Sequence, residues 1–346
     1  MLTINMQQTK VLLRVFVVLS TLLALSAQAE SVGTEKMTDS HEAQTLLKRI
    51  QSAAQKLNYS GTFVYQQANQ MRTSRITHLL EGHNEVEKLE VLDGKPREYI
   101  RHNEDVTCYV PETKTLLVEK RVTQDVFPAI LASIPSDLTD YYNVKLGEVS
   151  RVAGYDCQAV LLDPKDKMRY GYKLWAEKNT GLLLRAQTLN NKNEIVEQIS
   201  FTQIGIGNIE RSRVRSSFGN TSGWHVERTA MNPTNLNEWA VTGMPPGFKK
   251  VRELKRVVVD TPAQNNAGAG AGPTRREVSQ IVFSDGLAAI SVFVEPGSQS
   301  RTEGFMQQGA LNIVGKRQGD FWLTIVGEVP ASAIRQVANS IELKSK

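Results

Sequence analysis

The chain has 346 residues, a formal net charge of +5, only two cysteines, and 40% hydrophobic side chains. That length exceeds what one small core usually fills, so two domains are expected. The 41 Lys and Arg are interleaved with 36 acidic residues, whereas duplex binders cluster their cations to displace counterions, so nucleic acid is excluded as a partner.

At the N-terminus, Lys10 and Arg14 precede an apolar run from Val15 to Leu25 that closes on Ala27-Gln28-Ala29. This pattern predicts a cleavable signal peptide over residues 1–29 and export to the periplasm. The run falls short of the roughly 20 apolar residues that span a bilayer. Glu30, not cysteine, follows the cleavage site, so the expected product is free rather than lipid-anchored. Loss of Lys10 and Arg14 takes the charge from +5 to +3, a mildly basic surface.

A helix is expected next. Asp39 and Glu42 read as a capping pair, and Leu46, Leu47, Ile50, Ala54 and Leu57 recur at helical spacing. Strands follow over Ser60–Gln67, Arg75–Leu80, Val86–Leu92, Arg97–Arg101, Val106–Val110 and Thr115–Lys120. Asp93-Gly94 marks an antiparallel hairpin, because both residues tolerate positive φ. From Gln124 to Tyr142 an apolar segment broken by Pro128 and Pro135 predicts short helices and loops lying across a sheet. Strands resume at Val144–Val149, Gln158–Leu162, Arg169–Ala176, Leu182–Leu189 and Glu194–Gln203.

The strand pattern lapses over 213–235, which is the expected linker between a domain at 30–212 and a second at 236–346. The second domain alternates strands at Lys249–Val259, Arg276–Ser284, Leu287–Val294, Ala310–Lys316 and Asp320–Glu328, with Asp285-Gly286 as a tight turn and a closing helix at Ala331–Ile341. The Gly-Ala repeat between Asp260 and Thr274 reads as a mobile hairpin loop inside this domain. The fold class is therefore α+β, with a curved antiparallel sheet carrying helices on one face, followed by a smaller mixed domain. The concave face of that sheet is a candidate lipid cavity lined by Phe63, Tyr65, Ile76, Val91, Tyr99 and Trp175. An ordinary filled core is the alternative.

No catalytic or cofactor pattern accompanies this fold. Gly309–Lys316 lacks both the glycine spacing and the Ser or Thr of a phosphate loop, and Gly205-Ile206-Gly207 lacks the third glycine of a dinucleotide site. Ser284 sits in a hairpin turn rather than a nucleophile elbow. His41, His78, His83, His102 and His225 show no metal-ligand spacing. Glu85, Glu87 and Glu90 alternate with apolar residues and read as a solvated face. Cys108 and Cys157 either pair across a loop of roughly fifty residues or remain two small buried hydrophobes, and the spacing leaves both open.

The run Arg169-Tyr170-Gly171-Tyr172-Lys173-Leu174-Trp175, continued by Asn179-Thr180-Gly181-Leu182-Leu183-Leu184-Arg185, resembles the sigma-E regulatory family RseB/MucB. Val152–Gln158, Val106–Pro111, Pro245-Pro246-Gly247-Phe248, Phe283–Leu287 and Val326–Pro330 are similar to that family too, in the same order over essentially the whole mature chain. The resemblance implies a first domain like the lipoprotein carrier LolA, a half-barrel sheet covered by helices. It implies a periplasmic negative regulator that binds the periplasmic part of a membrane-bound anti-sigma factor. The partner would be shielded from site-1 proteolysis until lipopolysaccharide or a related lipid releases it. It implies no enzyme activity and leaves a homodimer open. The alternative is a periplasmic lipid or lipoprotein carrier of the LolA type.

Overall fold

The computed structural model describes residues 39–120, 135–229, 231–260, 274–297 and 301–344. The expected signal peptide, most of the proline-bearing segment and the Gly-Ala repeat lie outside the described residues.

Helix α1 (39–56) turns an apolar stripe inward, where Ala43, Leu46, Leu47 and Ile50 are buried against sheet residues such as Val160, Leu162 and Leu174. Each such Leu or Ile removed from water contributes about 1.5–3 kcal/mol. Asp39, expected as a cap, instead uses its carboxylate to accept the Leu146 amide at 3.1 Å, tying the helix to the sheet. Six strands follow in a meander: β1 (Tyr59–Gln67), β2 (Gln70–Glu81), β3 (Asn84–Val91), β4 (Arg97–His102), β5 (Asp105–Val110) and β6 (Thr115–Lys120). A single turn, α2 (Leu138–Tyr141), precedes a second meander of β7 (Tyr142–Val152), β8 (Tyr155–Pro164), β9 (Gly171–Glu177), β10 (Leu183–Leu189) and β11 (Ile195–Ile206).

The two meanders join in the middle. β11 pairs antiparallel with β1, so the chain leaves the sheet at β6, re-enters at the far edge with β7, and works back to the centre. Gly61 is required at this seam, since a Cβ there would stand 2.6 Å from the Gln203 carbonyl and 2.8 Å from the Phe201 ring. The register slips by one residue between Thr62 and Phe63, and Phe63 meets Phe201 edge-on at 5.8 Å. The result is one curved, open sheet.

The stretch expected as a linker contributes to both sheets. β12 (His225–Thr229) pairs parallel with β6 and becomes the twelfth strand of the first sheet, while β13 (Met231–Pro233) forms the edge of the second. A short β14 (Trp239–Val241) pairs with the last strand, β21 (Ile341–Leu343). The second sheet contains β13 with β15 (Lys249–Asp260), β16 (Thr274–Ser284), β17 (Ala289–Pro296), β18 (Gly304–Gln308), β19 (Leu311–Gln318) and β20 (Phe321–Gly327), in the order β13-β15-β16-β17-β20-β19-β18. Helix α3 (Ala331–Asn339) buries Ala333, Ile334, Val337 and Ala338 in the same core as Ile290, Val292, Leu323 and Ile325.

Candidate functional site: an apolar face and a buried domain junction

Cross-strand pairing fixes which side chains share a face, because directly opposed residues point the same way. One row runs Gly61, Ile76, Leu89, Tyr99, Cys108 and Leu117 across β1 to β6, and a neighbouring row holds Phe63, Ser74, Val91 and Arg97. Five of the six expected cavity residues therefore lie on one face: Phe63, Tyr65, Ile76, Val91 and Tyr99. Trp175 belongs to the same buried cluster as Phe63 and Ile76 but projects from the other side of the sheet. It stands in register with Arg185, Ser200 and Val64, on the other side of the sheet from Tyr65, and its ring is covered by Lys173 and Arg185 at 4.8 and 5.4 Å.

Along the apolar face the packing changes from end to end. Phe63 and Ile76 are buried in a cluster with Ala53, Tyr59 and Phe201. Leu89, Val91, Cys108 and Leu117 are only half-buried, and Tyr99 is 38% exposed. Near α1 the face is a filled core, whereas towards β6 it is an open apolar strip.

Beside this strip lies a buried charge network that sequence patterning misassigns. Glu85 and Glu87, expected on a solvated face, both accept hydrogen bonds from the buried Arg101, and Glu85 also meets His78 Nε2 at 2.9 Å. Burial alone would raise the Glu85 carboxyl, but the bonds from His78 and Arg101 together with the Arg101 charge outweigh it, holding the group at about 2. The His78 ring is fully enclosed, stacks on Tyr59 at 5.1 Å, and bonds the Leu57 carbonyl through Nδ1 at 2.7 Å. Pairing explains the error: Tyr59, His78, Glu87 and Arg101 form one cross-strand row from four different strands.

The opposite face of β1 to β4 carries a polar cleft of about 810 Å³, lined by Ser60, Thr62, Arg75, Thr77, Lys88 and Arg213 among others. Within it the buried Lys88 sits 3.1 Å from Glu90 and 3.3 Å from Glu98. Glu98 in turn accepts the Ser217 amide at 3.1 Å and the Ser216 hydroxyl at 3.0 Å, which pins the chain leaving β11 onto this face. The cleft is hydrophilic and suits no acyl chain.

The two sheets meet at a buried ion pair. Arg169, from the loop before β9, donates to Asp285 Oδ2 at 2.9 Å, and both side chains are sealed from solvent. The remaining guanidinium donors reach Asp166 and the Pro246 carbonyl, and the rings of Tyr141, Tyr142 and Phe248 stand 4.8–5.6 Å from its centre. Asp285 Oδ1 closes its own turn by accepting the Leu287 and Ala288 amides at 3.0 and 2.9 Å. Burial pushes the Asp285 carboxyl up, opposed by those amides and by Arg169. Gly247 adopts φ +85° directly against the Tyr141 ring, where a Cβ would lie 2.5 Å away. A second contact completes the junction, with buried Asn312 donating to the Tyr170 hydroxyl at 3.1 Å and to the Val329 carbonyl at 2.8 Å.

Cys108 and Cys157 are free thiols. Seven strands separate β5 from β8 in the sheet order, so neither pairing nor hairpin geometry brings them together.

These features define a two-module protein in which one domain presents a partly open apolar face and is clamped to the other by a desolvated ion pair. The runs Arg169-Tyr170, Pro245-Pro246-Gly247-Phe248, Ser284-Asp285-Gly286-Leu287 and Val329 all converge on that clamp. The MucB/RseB N-terminal domain family matches residues 42–218 and the MucB/RseB C-terminal domain family matches residues 233–342. The chain belongs to the MucB/RseB family. It is 29% identical to the sigma factor AlgU regulatory protein MucB of Pseudomonas aeruginosa, over 88% of this chain and 92% of that one. It is 25% identical to the sigma-E factor regulatory protein RseB of Haemophilus influenzae, over 94% and 96% of the two chains. A crystal structure of MucB in complex with MucA(peri) superposes with a TM-score of 0.65 at 26% identity, covering 88% of this chain and all of that one. The Pseudomonas aeruginosa MucA/MucB complex gives a TM-score of 0.67 at the same identity and coverage.

Proposed function

We propose that this chain is a periplasmic regulator of a sigma-E type envelope-stress response. It binds the periplasmic part of a membrane-bound anti-sigma factor, shields that part from site-1 proteolysis, and lets go when a lipid signal such as lipopolysaccharide binds. Family membership across both domains, with relatives whose solved structures are complexes with MucA, is the observation that carries the reading. The open apolar strip around Leu89, Tyr99 and Leu117 supports the lipid half, since half-exposed apolar side chains in a row offer a surface for acyl chains. Release is then a linkage effect: a lipid displaces the partner only by as much as it binds the unpartnered form more tightly. A carrier of the LolA type would use the same strip but has no need of a second domain fixed by a buried clamp.

The reading is tested by incubating the purified anti-sigma periplasmic region with the site-1 protease in the presence of this protein. Slower cleavage that lipopolysaccharide restores is expected. Cleavage at an unchanged rate overturns the regulatory reading, and recovery of lipoproteins with this chain instead favours the carrier.

A further inference from the structure

The second domain is fastened to the first sheet at both of that sheet's edges. At the β7 edge stands the clamp, where Arg169 meets Asp285 and the rings of Tyr142 and Phe248. At the opposite edge β12 pairs with β6, and two residues beyond Thr229 the same chain pairs with β15 as β13, Met231 opposite Arg256. β15 itself starts directly after Phe248, so it joins the two fastenings as a strut about 25 Å long, at a rise of about 3.3 Å per residue. A curved sheet held at both edges changes its curvature only when one fastening yields.

The fastenings are unequal. The clamp is sealed from solvent, whereas residues 225–228 of β12 are exposed and the strand is laddered to β6 on one side only. Few buried contacts and exposed hydrogen bonds mark the segments that open first. Register also sets β12 beside the apolar strip. The row Tyr99, Cys108, Leu117 continues onto β12 as Glu227, whose carboxylate is 46% exposed and lies 3.6 Å from His225 Nε2.

Resting on the lipid-release reading above, we infer that β12 is a release strap: lipid laid along the strip unzips β12 from β6 and frees that edge of the first sheet from the second domain. The clamp stays closed, and the arrangement of the two domains that holds the anti-sigma segment is undone. An acyl chain on the row desolvates the Glu227 carboxylate while β12 stays in place, a cost that vanishes once β12 departs and returns the charge to water. Lipid therefore binds the unzipped form more tightly, which is the differential affinity that a ligand-driven shift requires. The paired and unpaired states of β12 are the two-state element through which strip and partner site bias one another.

The test follows binding of the purified anti-sigma periplasmic region, with and without lipopolysaccharide, to the full chain, to Glu227→Leu and to a Leu116→Cys/Val226→Cys double variant. Leu116 and Val226 are directly opposed across β6 and β12 and face away from Cys108, so the new thiols can be bridged without the native one. Oxidised, the double variant is expected to bind the partner as the wild type does, with the lipid effect cut from at least tenfold to under twofold, and reduction is expected to restore it. Glu227→Leu is expected to bind lipopolysaccharide several-fold more tightly yet to release the partner less. In the wild type, lipid should speed amide hydrogen exchange at 225–229 at least tenfold and leave 283–288 unchanged. A full lipid effect in the bridged protein, or unchanged exchange at 225–229 with a wild-type lipid response in Glu227→Leu, overturns the strap and leaves the proposed function standing. The second pair of readouts decides equally where the bridge does not close. No lipid effect in the wild type overturns the lipid half of that function and the strap with it.

Discussion

The junction around Arg169 and the strip around Tyr99 are opposite solutions to burying a surface. At the junction, charged and aromatic groups from both domains are enclosed together, and Arg169 has a partner or a ring face on every side. Along the strip, apolar side chains are aligned but incompletely covered. The first holds two modules in one arrangement, and the second leaves free energy available to a ligand. The contrast predicts that junction changes cost stability and strip changes cost binding.

The largest effect is expected from Asp285→Ala, which strands the buried Arg169 charge. Losing one partner of a buried pair costs about 3–5 kcal/mol, so Tm should drop markedly in a thermal scan, and a wild-type Tm would break the contrast. Ile76→Ala, at the filled end of the face, removes a fully buried side chain and is expected to cost about 2–5 kcal/mol in denaturant titration. Glu85→Gln should cost about 2 kcal/mol at neutral pH, the scale for losing bonds to charged groups. The Glu85 carboxyl is depressed from 4.5 to about 2, so its contribution is complete above pH 4.5 and is lost as pH falls toward 2. Wild-type and variant stabilities should therefore converge on acidification, and a constant gap would place the effect elsewhere. Tyr99→Ala should change stability by less than about 1 kcal/mol yet weaken binding of a fluorescent fatty-acyl probe. Titration of the native, non-reduced protein should find two free thiols.

Much of the first sheet is legible in sequence because its strands alternate apolar and polar residues between clear turns. The β3–β4 and β16–β17 hairpins fall where Asp93-Gly94 and Asp285-Gly286 place them. What escaped was set by partners distant in the chain. Arg169 and Asp285 are 116 residues apart, and nothing local marks either as buried. Glu85 and Glu87 look solvated until His78 and Arg101 arrive from neighbouring strands. β12 sits in a Ser- and Gly-rich region and gains its place only by parallel pairing with β6. Trp175 follows its own alternation to the face opposite Tyr65, which required the full register to see. β18, with two apolar residues among polar ones, offers too little pattern to read as a strand.

Binding of the anti-sigma periplasmic region, measured with and without lipopolysaccharide, tests the central claim most directly. The account predicts tight binding that weakens at least tenfold when lipid is present, with the lipid bound in turn more weakly by the partnered protein. An affinity that lipid leaves unchanged would contradict it.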